Sequence, residues 1–243
     1  MTTNRNSDLP EKNLEESSNN GSEIISNDDI EIELSKYKIK NYKSYFKLNP
    51  YRVAVLSMIL AMNYLLSWIS YAALTPLSII GFLRVELNFL SYLICWKMIN
   101  GFYALLLVTP GTWIRYLGMN PEPVGSTVMN ISDMSVLGVF ILISFLLNTK
   151  AHIKGKKSFY IKYCSSAFIT IVFAGLINIA YNFTFILDWY ASYTGFNGYV
   201  EYKNLWYAGI LMGFNVLKYT VNFLLFISIY DVVKYISKNT SLN

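Results

Sequence analysis

Inside the apolar run Gly209–Tyr230 three side chains could do chemistry: Asn215, Lys218 and Asn222. Their spacing of i, i+3 and i+7 puts them on one face of a helix. Two amides and an ammonium on one face can hydrogen-bond the polar edge of a bound molecule, or act as glue between helices. Lys218 lies about 12 residues past Trp206, roughly 18 Å at 1.5 Å per residue, too deep to reach either membrane surface easily. A charge near the bilayer centre costs about 2.5 to 3.5 kcal/mol on insertion scales, so it asks for ligand contact or for a buried pair, with Asp133 as the candidate partner. Asn178 and Asn182, at i and i+4, form a matching set in the preceding apolar run. Glu86, Arg115 and Asp188 fall near the ends of apolar runs, where solvation accounts for them.

Catalysis has nothing comparable. No nucleotide-binding loop, HExxH, GxSxG or paired-carboxylate signature occurs, and no nucleophile stands at a plausible spacing from a base, so no enzyme is expected. Any ATP chemistry linked to transport must then come from another subunit. The one histidine, His152, sits among loop lysines, and Cys95 and Cys164 match no zinc or redox spacing. No metal site is expected, and both cysteines read as small apolar residues.

The elements that must position the polar face are membrane helices. Of 243 residues 54% are hydrophobic and only 14% charged, with a mean hydropathy of +0.36, which excludes an ordinary soluble domain. Aromatic residues make up 16%, including 20 Tyr and 5 Trp, which suits membrane interfaces first and a pocket for a flat ligand second. About 20 apolar residues cross the hydrocarbon core. The first span is Tyr51–Tyr71. The stretch Leu87–Leu117 is too long for one span and too short for two full ones, so a short helix over 87–97 and a longer one over 99–117 are expected, turning near Lys97–Gly101. A Pro/Gly loop, Gly118–Ser126, leads to span four over 127–147. Span five covers 159–187 and span six covers 206–236.

Orientation follows from basic residues near the span ends. With six spans and the N-terminus inside, fourteen lysines and arginines fall on the inner side, and only Arg84, Arg115 and Lys203 fall outside. Both termini are therefore expected in the cytoplasm of a multi-pass protein of the cell (plasma) membrane. Residues 1–34 carry nine acids against Arg5 and Lys12 in an Asn/Ser-rich setting that cannot bury enough surface to fold. That acidic tail is expected to be disordered, and it lacks the apolar core of a secretory signal. Residues 35–50 are basic and aromatic, suited to an anionic leaflet rather than to nucleic acid. The organisation is thus an all-α polytopic membrane protein: a disordered tail (1–34), a juxtamembrane segment (35–50) and a six-helix membrane domain (51–238).

Four stretches resemble the substrate-binding S components of energy-coupling factor (ECF) vitamin transporters, most of all the riboflavin-specific branch. They are "GFLRVELNFLSYLI" (Gly81–Ile94), "NPEPVGSTVMN" (Asn120–Asn130), "NFTFILDWY" (Asn182–Tyr190) and "AGILMGFNVLKY" (Ala208–Tyr219). The last keeps the family spacing of Phe214, Asn215 and Lys218, while Gly213 and Tyr219 stand where the family usually has Pro and Gly. The resemblance covers about residues 50–236.

What the resemblance implies is a pocket open to the outside, with riboflavin as transported ligand and no cofactor. Asn182, Asn215 and Lys218 would meet the polar edges of the isoalloxazine ring. Val124, Gly125 and Ser126 would approach from the loop. Trp189, Tyr190 and Phe214 would supply stacking and apolar contact, and Glu86 would join from the second-helix entry. On this reading Lys218→Ala weakens binding and leaves folded yield largely intact. The family also docks on a transmembrane coupling subunit through small residues of its first helix, here Ala54, Ser57 and Ala61, and two ATPase subunits complete the transporter.

Overall fold

The computed structural model describes residues 45–74, 85–119, 122–150, 158–196 and 198–239. The acidic tail, most of the basic segment, residues 75–84 and His152 lie outside the described residues. The chain divides into Met1–Lys47 and Leu48–Asn243, and the helices below belong to the second unit.

Among the described residues every regular element is helical: α1 Pro50–Leu74, α2 Phe89–Met98, α3 Gly101–Trp113, α4 Pro123–Lys150, α5 Ser158–Tyr181, α6 Leu187–Thr194, α7 Gly198–Glu201 and α8 Leu205–Asn239. A π turn, Asn182–Ile186, joins α5 to α6 without a break in the apolar stretch. Four stretches are long and apolar enough to cross a membrane: Pro50–Ala73, Pro123–Thr149, Ser158–Thr194 and Leu205–Ser237. The protein is an all-α membrane protein in which α2 and α3 are shorter apolar helices.

Local chemistry sets the helix starts. Pro50 and Pro123 open α1 and α4, where the missing N–H and fixed φ of proline suit the first turn. Asn49 accepts from Arg52 N at 2.7 Å, Asn100 from Tyr103 N at 3.0 Å and Asn204 from Tyr207 N at 2.9 Å, so three asparagines cap three N-termini. The Asn100 cap divides α2 from α3 within the turn expected at 97–101. The helix expected over 99–117 instead stops at Trp113 and tightens into a 3₁₀ turn, Ile114–Tyr116. Its last turn holds Pro110, and Gly118 then takes φ +104°, a conformation that glycine accepts and other residues resist.

The helices pack as a ring in the order α2, α3, α4, α5, α8 and back to α2, with α1 set against α2 and α3. α4 and α8 share no extended packing, and each is flanked by α5. The interior has two halves. Towards the C-terminal ends of α4 and α8 it is aromatic: Phe159 stacks on Tyr230 at 3.8 Å, Trp96 meets Phe140 edge-on at 4.9 Å, and Phe140 meets Phe223 at 5.1 Å. Towards their N-terminal ends it is polar. Much of the aromatic content thus serves as core packing, a use that composition alone assigned to interfaces. Large apolar side chains such as Met58, Leu65, Phe168 and Leu224 cover the outer faces, as a lipid solvent requires.

Candidate functional site

The polar half is built from the first three turns of α4, the C-terminal end of α5 with its π turn, and the first half of α8. On α8 the inward stripe is Tyr207, Leu211, Asn215, Lys218 and Asn222, each no more than 5% exposed. Lys218 Nζ reaches Asp133 Oδ1 of α4 at 3.0 Å. Tyr219 donates its hydroxyl to the same oxygen at 2.8 Å and stands 2.9 Å from Ser132 Oγ. The lysine therefore has its buried partner, and Tyr219 adds a second donor to the same carboxylate oxygen. The expectation that Lys218→Ala would leave folded yield intact is corrected accordingly, because removing the lysine strands a fully buried carboxylate.

Asn178 on α5, Asn182 at the start of the π turn and Asn215 on α8 each return one amide N–H to the carbonyl four residues back: Asn178 to Ala174 O, Asn182 to Asn178 O and Asn215 to Leu211 O, all at 2.8 Å. This keeps the side chains tucked inside the bundle, with further donor and acceptor capacity on each amide. Asn182 Oδ1 lies 3.5 Å from the Tyr207 hydroxyl, which links α5 to α8. The π turn begins at Asn182 itself; such single-turn bulges occur frequently at functional sites, because an inserted residue re-aims the side chains that follow.

Asn222 shares the helix face of Lys218 and does different work. Its amide donates to Glu86 O at 2.7 Å and to Lys218 O at 2.8 Å, while its Oδ1 accepts from Leu90 N at 2.9 Å. The residue at the N-cap position of α2, Asn88, makes no side-chain cap bond, so Asn222 caps α2 from across the interface. Sequence spacing grouped it with the ligand candidates; the structure uses it as a fastener.

The loop expected over Gly118–Ser126 ends sooner, because Pro123 already opens α4; Val124 and Ser126 therefore lie in the first turn of that helix, 1% and 3% exposed. A Cβ on Gly125 would lie 2.9 Å from the Tyr190 hydroxyl, so the glycine lets α6 lay that hydroxyl on the first turn of α4. Tyr190 continues into a row of rings, Tyr199 at 5.5 Å from it, then Tyr202, then Tyr207 at 5.3 Å from Tyr202. Phe214 is buried and Trp189 is exposed. Glu86 pairs through its carboxylate with Arg115, which also rests Nη1 on Met129 Sδ at 2.9 Å, so both are held rather than merely solvated. Asp188 pairs with Lys203 at 2.8 Å at the surface. On α1, Ala54, Ser57 and Ala61 all lie on the exposed face, opposite buried Val55, Ile59 and Asn63.

The structure thus gathers Val124, Gly125, Ser126, Asn182, Tyr190, Phe214, Asn215 and Lys218 onto the elements that frame one half of the interior, and leaves Trp189 outside it. Sequence reasoning missed Ser132, Tyr207 and the amide of Asn130 on α4. It also missed a second polar layer in which Asn63 Nδ2 donates to Ser91 Oγ at 2.7 Å and to Asn88 O at 3.2 Å. Its signal was present: Asn63, Ser67 and Ser70 fall at i, i+4 and i+7 within the first span. Chemically the site can hydrogen-bond a ligand and hold it against rings. Among the described residues no three His, Cys, Asp or Glu side chains cluster as metal ligands.

The fold is similar to that of a protein solved as the S component of a bacterial ECF transporter. The TM-score is 0.53 at 15% identity, and the match covers 76% of this chain and 96% of that one. At that identity the likeness is one of fold. No protein-family model matches the chain, and no curated protein matches it.

Proposed function

We propose that this chain is the membrane-embedded substrate-binding (S) subunit of an ECF-type ABC transporter. It captures riboflavin or a related flavin from outside for uptake and performs no chemistry of its own. It works in the plasma membrane with both termini in the cytoplasm, alongside a transmembrane coupling subunit and two ATPase subunits. The observation that carries the reading is the division of the interior. One half is a close aromatic core, and the other sets buried Asn182, Asn215 and Lys218 against the α4 start and a row of tyrosines. Buried amides beside aromatic faces suit a flat ligand with polar edges, since such groups reject molecules that leave them unpaired. The Lys218–Asp133 pair is neutral as a unit, which agrees with an uncharged ring system.

The test is a titration of the purified chain with riboflavin, thiamine, folate and biotin, read by flavin fluorescence quenching and by thermal stabilisation. Saturable quenching by riboflavin supports the proposal, and tighter binding of another vitamin keeps the transporter class while changing the substrate. A second reading, a non-transport structural or assembly subunit, is favoured by the Lys218–Asp133 pair, in which Lys218 has a protein partner and needs no ligand to balance its charge. Protein that is indifferent to every vitamin would select it.

A further inference from the structure

We infer that α4 carries a ladder of hydrogen-bond acceptors that reads the donors of the captured molecule, and that this molecule is neutral and bears a hydroxyl-rich chain. The inference rests on the reading that the polar half of the bundle holds the ligand. Ser126, Asn130 and Asp133 stand at i, i+4 and i+7, on one face of α4. Ser126 Oγ, Asn130 Oδ1 and Asp133 Oδ2 are buried without a hydrogen-bond partner among the described residues. Ser126 and Asp133 are 3% and 0% exposed. The direction of the face is fixed by Asp133, whose other oxygen meets Lys218 and Tyr219 across the interior.

The imbalance has a sign. Two of the three atoms only accept and the third, a hydroxyl, can do so; along the opposing stretch of α8, Tyr207 to Asn222, no buried donor is left unpartnered. No donor among the described residues reaches the ladder, although Lys218, Asn182 and Asn215 keep N–H groups to spare for a ligand, and buried acceptors without partners are costly. A ligand that supplies O–H or N–H groups removes that cost. Charge narrows the class further. Asp133 is balanced by Lys218 and Glu86 by Arg115, so a cationic or anionic ligand would bring an uncompensated charge into the interior. Extent narrows it again: seven residues of helix rise about 10 Å, a span suited to donors strung along a chain rather than to one ring N–H. The polyhydroxylated arm of riboflavin has this character.

The test titrates the purified full chain with riboflavin and with lumiflavin, which keeps the ring and replaces the arm by a methyl group. The parent should prefer riboflavin by about tenfold or more. Ser126→Ala and Asn130→Ala should each erode that preference by weakening riboflavin while sparing lumiflavin, with the melting temperature of the unliganded protein not lowered. Equal affinity of the parent for both flavins overturns the ladder and leaves the flavin reading standing. Should neither flavin bind, thermal shifts with pyridoxine (neutral and hydroxyl-bearing), thiamine (cationic) and biotin (anionic) decide the matter. Stabilisation by pyridoxine that is lost in Ser126→Ala keeps the ladder and ends the flavin reading. Stabilisation by a charged vitamin, or by none, overturns the ladder.

Discussion

Lys218→Met should destabilise the protein, and adding Asp133→Leu should restore most of what is lost. In the parent, Asp133 is fully buried and its Oδ1 takes Lys218 Nζ at 3.0 Å and the Tyr219 hydroxyl at 2.8 Å. Methionine keeps the bulk of the lysine stem and deletes the charge, leaving the carboxylate with the tyrosine alone. An uncompensated charge at mid-helix depth costs about 3 kcal/mol on insertion scales. The surviving hydrogen bond from Tyr219 offsets about 1 kcal/mol of it. The expected loss is therefore about 2 kcal/mol, roughly a thirtyfold change in the ratio of folded to unfolded protein. In the double variant no buried charge remains, and replacing a buried pair by apolar side chains of similar volume is often neutral or stabilising. The assay is reversible unfolding of the purified protein in mixed micelles across the parent, the two single variants and the double. A single variant as stable as the parent, or a double variant no better than the worse single, would refute the argument that the pair is mutually compensating.

Three further outcomes follow from the same contacts. Tyr219→Phe removes the donor to Asp133 and the contact to Ser132 and keeps the ring packed on Phe89 at 4.9 Å, so a loss of about 1 to 2 kcal/mol is expected in the same unfolding assay. Gly125→Ala places a methyl 2.9 Å from the Tyr190 hydroxyl, too close for contact; the hydroxyl should swing away, lowering riboflavin affinity in a quenching titration while stability changes by less than about 1 kcal/mol. Ser57→Leu adds bulk to the exposed face of α1 beside Ala54 and Ala61, and should spare riboflavin binding while impairing uptake in cells that carry the whole transporter. Uptake at the parental rate would count against that docking face.

The helical skeleton was largely legible because its signals are local. Apolar length marks the four long helices, and proline or asparagine at the first turns marks where α1, α3, α4 and α8 begin. The long stretch before residue 118 was divided correctly because an apolar run of that length fits neither one span nor two. What local signals misjudged was the end of α3, where Pro110 in the last turn precedes a tightened 3₁₀ turn. They also misjudged the aromatic residues. A tyrosine at a span end and a tyrosine in a core are the same letter, and only packing shows that Tyr163 donates to Phe223 O at 3.0 Å inside the bundle.

The candidate site was legible as a direction and not as a set of partners. Helical spacing says that Asn215, Lys218 and Asn222 point the same way, but over seven residues the helix advances about 10 Å, enough to pass from one neighbour to another. Asn215 turns back on its own helix, Lys218 crosses to α4, and Asn222 reaches α2, so one face serves three purposes. Tyr219 shows the converse. Its place beside Lys218 in the chain gave no reason to link it to Asp133, 86 residues away, yet its hydroxyl and the lysine share one carboxylate oxygen. A glycine at that position would leave Asp133 to the lysine alone and open the space that the ring fills against Phe89. The tyrosine thus trades room near the lysine for a second hold on the carboxylate. That exchange directs the remaining unpaired oxygen of Asp133, together with Asn130 and Ser126, to be the part of the polar half that still asks for a donor.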